Sequence, residues 1–198
     1  MNRLLLVLLL ALAGCASPHG GPAATLYDFG ALPDPAPQAA LKLPPVIVPD
    51  VTGPAWLDTQ TMVYRLNYSD PLQSRPYANS RWSSTPLQLL TQRVKARLAQ
   101  AGVKVLSTTD AGAGVLLLRI EADDFSHAFD SNMRNAGTVV LRASLFDGHR
   151  FLDQKTFVRS TPSASADAGG GVRALTTSTD AIAADIIAWL SALPLTRP

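Results

Sequence analysis

Apolar and polar positions change period several times along this chain, and each change marks an element. Leu4 to Leu12 is an unbroken apolar run behind one cation, Arg3. It falls far short of the ~20 residues that a membrane-spanning helix needs. Ala16 to Ala24 holds Pro18, Gly20, Gly21 and Pro22, the composition of a flexible tether. Thr25 to Gly30 reads as a short strand, and Ala31 to Ala40, with Pro33, Pro35 and Pro37, as an extended loop. Leu43 to Val48 is strand-like, and Pro44 and Pro45 confine it to an edge or a late start. Met62 to Leu66 predicts another strand. Leu72 to Ser84 has no alternation and is expected to be irregular.

A helix then begins. Thr85 suits an N-cap and Pro86 the first helical position. Leu87, Leu90, Val94 and Leu98 recur at three- and four-residue steps and form one apolar face. Arg93, Lys95 and Arg97 are expected to point to solvent, and Gly102 to end the helix. Val103 to Leu106 predicts a strand. Beyond a turn at Ala111 to Gly114, Leu116, Leu118, Ile120 and Ala122 alternate in a strand over Val115 to Phe125. Ser126 to Ala136 reads as a polar loop. Val139, Leu141, Ala143 and Leu145 alternate again, Asp147-Gly148 signals a hairpin, and Phe151 to Arg159 returns. Thr161 to Gly171, rich in Ser, Ala and Gly, reads as mobile. Leu175, Ile182, Ile186, Trp189 and Leu190 share one face of a last helix, which Pro194 stops.

The pattern predicts an α/β (α+β-like) fold: a mixed, partly antiparallel sheet of about six strands with two or more packed helices. The 198 residues carry 17 Lys and Arg against 15 Asp and Glu, so no basic stripe suggests nucleic acid. We expect residues 1–14 to be a signal peptide, 15–24 a tether, 25–192 one domain and 193–198 a tail.

Candidate chemistry is concentrated at one residue. Leu12-Ala13-Gly14-Cys15 closes the apolar run, and Cys15 is the chain's one cysteine. This motif resembles the lipobox of bacterial lipoproteins. The resemblance implies a diacylglycerol on the Cys15 thiol, cleavage before it and acylation of the new amine. Such a protein is held by several acyl chains, each buried CH2 contributing about 0.8 kcal/mol. An exported protein with one cysteine makes no internal disulfide, and lipidation removes the spare thiol. His19, His127 and His149 have no metal-ligand spacing, so neither a metal nor a cofactor is expected beyond the lipid. His127 reads as a solvated loop histidine. Asp123-Asp124 is not expected to work as a carboxylate pair, because adjacent strand residues face opposite ways. No nucleophile elbow is present, and Gly169-Gly170-Gly171 lacks the lysine of a phosphate loop. We expect no catalysis.

Several segments carry a family resemblance: Tyr27-Asp28-Phe29-Gly30, Trp56-Leu57-Asp58-Thr59, Met62-Val63-Tyr64-Arg65, Tyr77-Ala78-Asn79-Ser80-Arg81-Trp82 and the Pro86 helix. Over about Thr25 to Leu190 the chain resembles the PqiC-like auxiliary lipoproteins of ABC-type transport systems. The resemblance implies a sheet with flanking helices, similar to anticodon-binding-domain-like folds. It implies anchoring at the periplasmic face of the outer membrane and a place beside a periplasmic MCE (mammalian cell entry) domain protein. An ABC permease and ATPase, lipid cargo and a non-catalytic role complete it, with homo-oligomerisation left open. Tyr64, Arg65, Tyr77, Arg81 and Trp82 are residue types that protein interfaces favour, and they form a candidate partner surface. The alternative is that Trp82 and Tyr64 seal helix against sheet. Two other functional readings stand beside this one: a lipoprotein that carries a lipid itself, and an envelope scaffold.

Overall fold

A computed structural model describes residues 23–34, 43–110 and 115–195. The signal segment, Cys15, most of the tether, most of the proline-rich loop and the turn at 111–114 lie outside the described residues.

Among the described residues, eight strands and two helices follow one another. They are β1 (Thr25–Tyr27), β2 (Val46–Ile47), β3 (Thr61–Leu66), β4 (Asp70–Trp82), α1 (Pro86–Gln100), β5 (Val105–Leu106), β6 (Leu116–Ser131), β7 (Arg134–Asp147), β8 (Arg150–Pro162) and α2 (Ala168–Ala192). The class is the expected mixed α/β one, with eight strands rather than six.

Strand β6 organises the sheet. Along one side it pairs antiparallel with β7, which pairs antiparallel with β8. Its other side is divided: β2 pairs parallel with Leu116 and Leu117, and β3 parallel with His127 to Phe129. Beyond β3 come β4 and then β1, which runs parallel to β4.

β6 continues past Phe125, where the apolar alternation stops, for a definite reason. Ala122 pairs with Leu141 and Asp124 with Val140, so Asp123 is an extra residue in a β-bulge. The bulge moves the buried row from Leu118, Ile120 and Ala122 to Phe125, His127 and Phe129. With a side-chain period of two, one inserted residue changes the phase, and the continuing strand looks like a polar loop. The expected loop at 126–136 is strand on both sides of a tight turn.

Three further expectations are corrected. Leu72 to Ser84 is mostly β4, which is solvent-exposed along much of its length and so lacks an apolar alternation. The small-residue segment 161–171 ends β8 and opens α2, with Gly169 to Gly171 in the first helical turns. Arg93 is buried, at 6% exposure, rather than solvent-facing.

Helix α1 is defined by local signals. The Thr85 hydroxyl accepts from Gln88 N–H while the Gln88 side chain accepts from Thr85 N–H, a capping box. At the other end Gly102 has φ 88°, and Val103 N–H donates to Leu98 O, closing a Schellman turn. Leu89, Leu90, Val94 and Leu98 are buried, as are Leu175, Ile182, Ile186 and Leu190 of α2. The helices tie together through Arg93, whose Nε and Nη2 donate to the two carboxylate oxygens of Asp180 on α2, both at 2.7 Å. Its Nη1 donates to Gly30 O at 3.1 Å.

Candidate functional site

The densest polar constellation lies where the N-terminus of α2 meets the sheet. β3 contributes Tyr64, β4 Tyr77, β6 His127 and Phe129, and β7 Asn135. The Tyr77 hydroxyl lies 2.8 Å from His127 Nδ1, and His127 Nε2 lies 2.7 Å from Asn135 Oδ1. One protonation pattern satisfies both bonds: Tyr77 O–H donates to Nδ1, and Nε2–H donates to the amide oxygen. His127 is 2% exposed. Burial holds its pKa below the ordinary histidine value and the ring neutral, against weaker upward pulls from Asn135 and Asp167. Burial raises the Tyr77 pKa, and the neighbouring Tyr64 and Asp167 charges raise it further, so the phenol keeps its proton.

Aromatic rings enclose the chain of bonds. Tyr64 sits 4.8 Å from Tyr77, centroid to centroid, and His127 4.6 Å from Phe129. Above it, α2 comes very close: a Cβ on Gly171 would collide with the His127 ring. A Cβ on Gly137 of β7 would lie 2.6 Å from the backbone N of Leu175. Asp167 caps the helix, its Oδ1 accepting from Gly170 N–H at 2.7 Å. That bond leads, ahead of the Ser165 hydroxyl, in holding its carboxyl below the usual carboxylate range.

With both ring nitrogens committed and both partners neutral, this arrangement ties β4, β6 and β7 together beneath α2. It offers no base in this protonation state. Asp124 has a raised pKa, which burial causes, and it accepts from the Ser126 hydroxyl. Asp123 faces solvent and pairs with Arg142 at 3.2 Å. The two neighbouring carboxylates thus have different partners. Among the described residues no group of three or more His, Cys, Asp or Glu side chains is placed to hold a metal ion.

The residues nominated as a partner surface fall into two groups. Trp82 is buried against Phe125 at 5.5 Å and Phe29 at 6.0 Å, so it belongs to the core. Tyr64 and Tyr77 are half-buried in the aromatic cluster. Arg81 remains partly exposed, its Nη1 donating to Tyr77 O and Ser80 O. Arg65 is also partly exposed and donates to Pro71 O. His127, Asn135, Arg93 and Asp180 were not nominated, since their partners lie far away in sequence. Asp167 carried a usable signal, an acidic N-cap before a helix.

A cleft of about 370 Å³ lies between residues 28–32 and α1, walled by Phe29, Leu32, Leu89, Gln92, Arg93 and Ala96.

Fold and site define a two-layer α/β domain in which, among the described residues, every buried side-chain polar atom has a hydrogen-bond partner within the protein. Comparison with known proteins gives this class its family. The model of the ABC-type transport auxiliary lipoprotein component matches residues 27–187, and the chain belongs to that family. The fold is shared with protein XCC0632 from Xanthomonas campestris, at TM-score 0.71 and 19% identity, covering 84% of this chain and 95% of that one. A second solved structure, of an uncharacterized protein, aligns at TM-score 0.66 and 16% identity, covering 85% and 99%. No curated protein matches the chain.

Proposed function

We propose that this protein is a non-catalytic accessory lipoprotein, anchored through Cys15 to the periplasmic face of the outer membrane. There it positions the MCE component of an ABC lipid transport system. The observation that carries the reading is the family match over nearly the whole described domain. The lipobox at Leu12 to Cys15 supplies the anchor. The Tyr77–His127–Asn135 chain supports it, since its groups are occupied in holding the fold. The partner surface is reduced to Arg65 and Arg81 with the exposed edges of Tyr64 and Tyr77.

Purification of the acylated protein from membranes in mild detergent, with mass spectrometry of what accompanies it, tests this reading. Recovery of an MCE-domain protein supports it. The cleft beside Phe29 and Leu32 is where a lipid-carrier reading would place its ligand; recovery of the protein alone with stoichiometric lipid favours that. Recovery with unrelated envelope proteins sinks both. Arg81→Glu then tests the surface: lost co-purification at an unchanged melting temperature places Arg81 in the interface, and a lowered melting temperature places it in the fold.

A further inference from the structure

Two hairpin tips stand side by side at one end of the sheet. The β3–β4 turn carries Tyr68 and, just past it, Leu72; the β6–β7 turn carries Met133. They are held together by Asn67, whose N–H donates to Phe129 O at 2.8 Å and whose Nδ2 donates to Asp130 Oδ1 at 3.1 Å. Leu72 is 90% exposed, Met133 92% and Tyr68 49%. Single exposed apolar residues are ordinary, whereas three large ones on adjoining tips are not. Arg134 lies exposed beside Met133, and Arg75 is half-buried in β4. The nearby carboxylates are occupied locally, Asp70 Oδ1 accepting from Leu72 N–H and Asp130 from Asn67.

The direction of β1 connects these tips to the anchor. β1 runs parallel to β4, with Thr25 opposite Ser80, and β4 runs away from the tips. The chain that leads into Thr25 therefore arrives from the side of the tips. Counting the register through Thr61 and Tyr64 onto β6, Thr25 stands level with about Asp124, eight residues or roughly 25 Å from the Met133 turn. Cys15 lies ten residues before Thr25. Ten residues reach at most about 35 Å. That reach is enough to bring a lipid on Cys15 to the tips, the side from which the chain enters β1.

We propose that Tyr68, Leu72 and Met133 form a membrane-contacting end that dips into the bilayer holding the anchor, with Arg134 at phosphate level. This rests on the lipidation of Cys15 proposed above. Apolar tips beside a cation are the chemistry of an interfacial anchor, and the cation extends toward headgroups. The opposite end, at the Asp147-Gly148 turn of β7–β8, then points away from the membrane.

The test uses the acylated full chain carrying Met133→Cys. Because the lipid occupies the Cys15 thiol, a bimane label attaches only at position 133. The protein is placed in phosphatidylethanolamine and phosphatidylglycerol vesicles containing a nitroxide-labelled lipid. His149→Cys, at the opposite turn, is the control. The expected result is loss of most emission at 133 and little loss at 149. Equal quenching at both positions, or none at 133, overturns the orientation, and a blue-shifted but unquenched label at 133 overturns it in favour of a protein contact. Intact mass separates the two claims: an acylated protein with unquenched 133 keeps the anchor and loses the orientation, and an unacylated protein loses both.

Discussion

Removing Asp180 strands the Arg93 guanidinium in the interior. Arg93 makes three hydrogen bonds, two of them to Asp180 at 2.7 Å and one to Gly30 O at 3.1 Å. Asp180→Ala deletes the two charge-assisted bonds and leaves a cation at 6% exposure with one carbonyl partner. Breaking a buried pair from one side costs about 3–5 kcal/mol. Asp180 keeps 20% exposure and Arg97 Nε stands 3.6 Å away, so water and a changed network soften the loss toward ~3 kcal/mol. For a domain of this size, each kcal/mol moves the melting temperature by about 2–4 °C. Asp180→Ala should therefore melt roughly 6–12 °C lower by circular dichroism. Arg93→Met with Asp180→Leu replaces both charges by apolar groups, and should recover most of that loss, since a whole buried pair contributes little against a hydrophobic substitute. A single variant that melts within experimental error of the parent refutes the reasoning. So does a double variant no more stable than the single one.

Three other outcomes follow from the site. Gly171→Ala drives a methyl into the His127 ring; overpacking of about 1–3 kcal/mol outweighs the roughly 1 kcal/mol that alanine gains in a helix. A raised urea midpoint would contradict this. Tyr77→Phe leaves the buried His127 Nδ1 without its donor and should cost ~1–3 kcal/mol in urea unfolding. An unchanged midpoint would show that water replaces the hydroxyl. The third outcome concerns pH. The folded-state pKa of His127 lies below its unfolded value of about 6.5, so between the two the unfolded chain binds the extra proton. Its contribution is complete above about pH 6.5 and is lost as pH falls toward the folded pKa. The urea midpoint should drop in that window, and His127→Gln should flatten the drop; an equal slope in both proteins would rule His127 out as its cause.

The elements legible in the sequence are those whose causes lie within a few residues. Thr85, Pro86, Gln88 and Gly102 bound α1 by hydrogen bonds that each span five residues or fewer. Asp147-Gly148 sets the β7–β8 turn, with Gly148 at φ 61°. The lipobox is likewise a local motif. β4 was not legible, because exposure along much of its length removes the period that marks a strand. The second half of β6 was hidden by the bulge at Asp123, which only pairing with β7 reveals.

Charge and polarity misled in the same way. Arg93 carries a residue type that belongs at the surface, and its burial depends on Asp180, 87 positions away. His127 looked like a loop residue, yet Tyr77 reaches it across 50 positions. Gly171 lies in a segment whose small residues read as mobile, yet α2 begins there and closes over the ring beneath it. The helices, the hairpin, the class of fold, the lipobox and the family resemblance can be read from the residues alone, since local hydrogen bonding, turn chemistry and periodicity act over short separations. Which polar residues are interior, and which apolar ones stand out at the sheet's end, depends on the assembled fold. Burial is a property of what the rest of the chain places alongside a residue, and no short stretch of sequence contains its own neighbours.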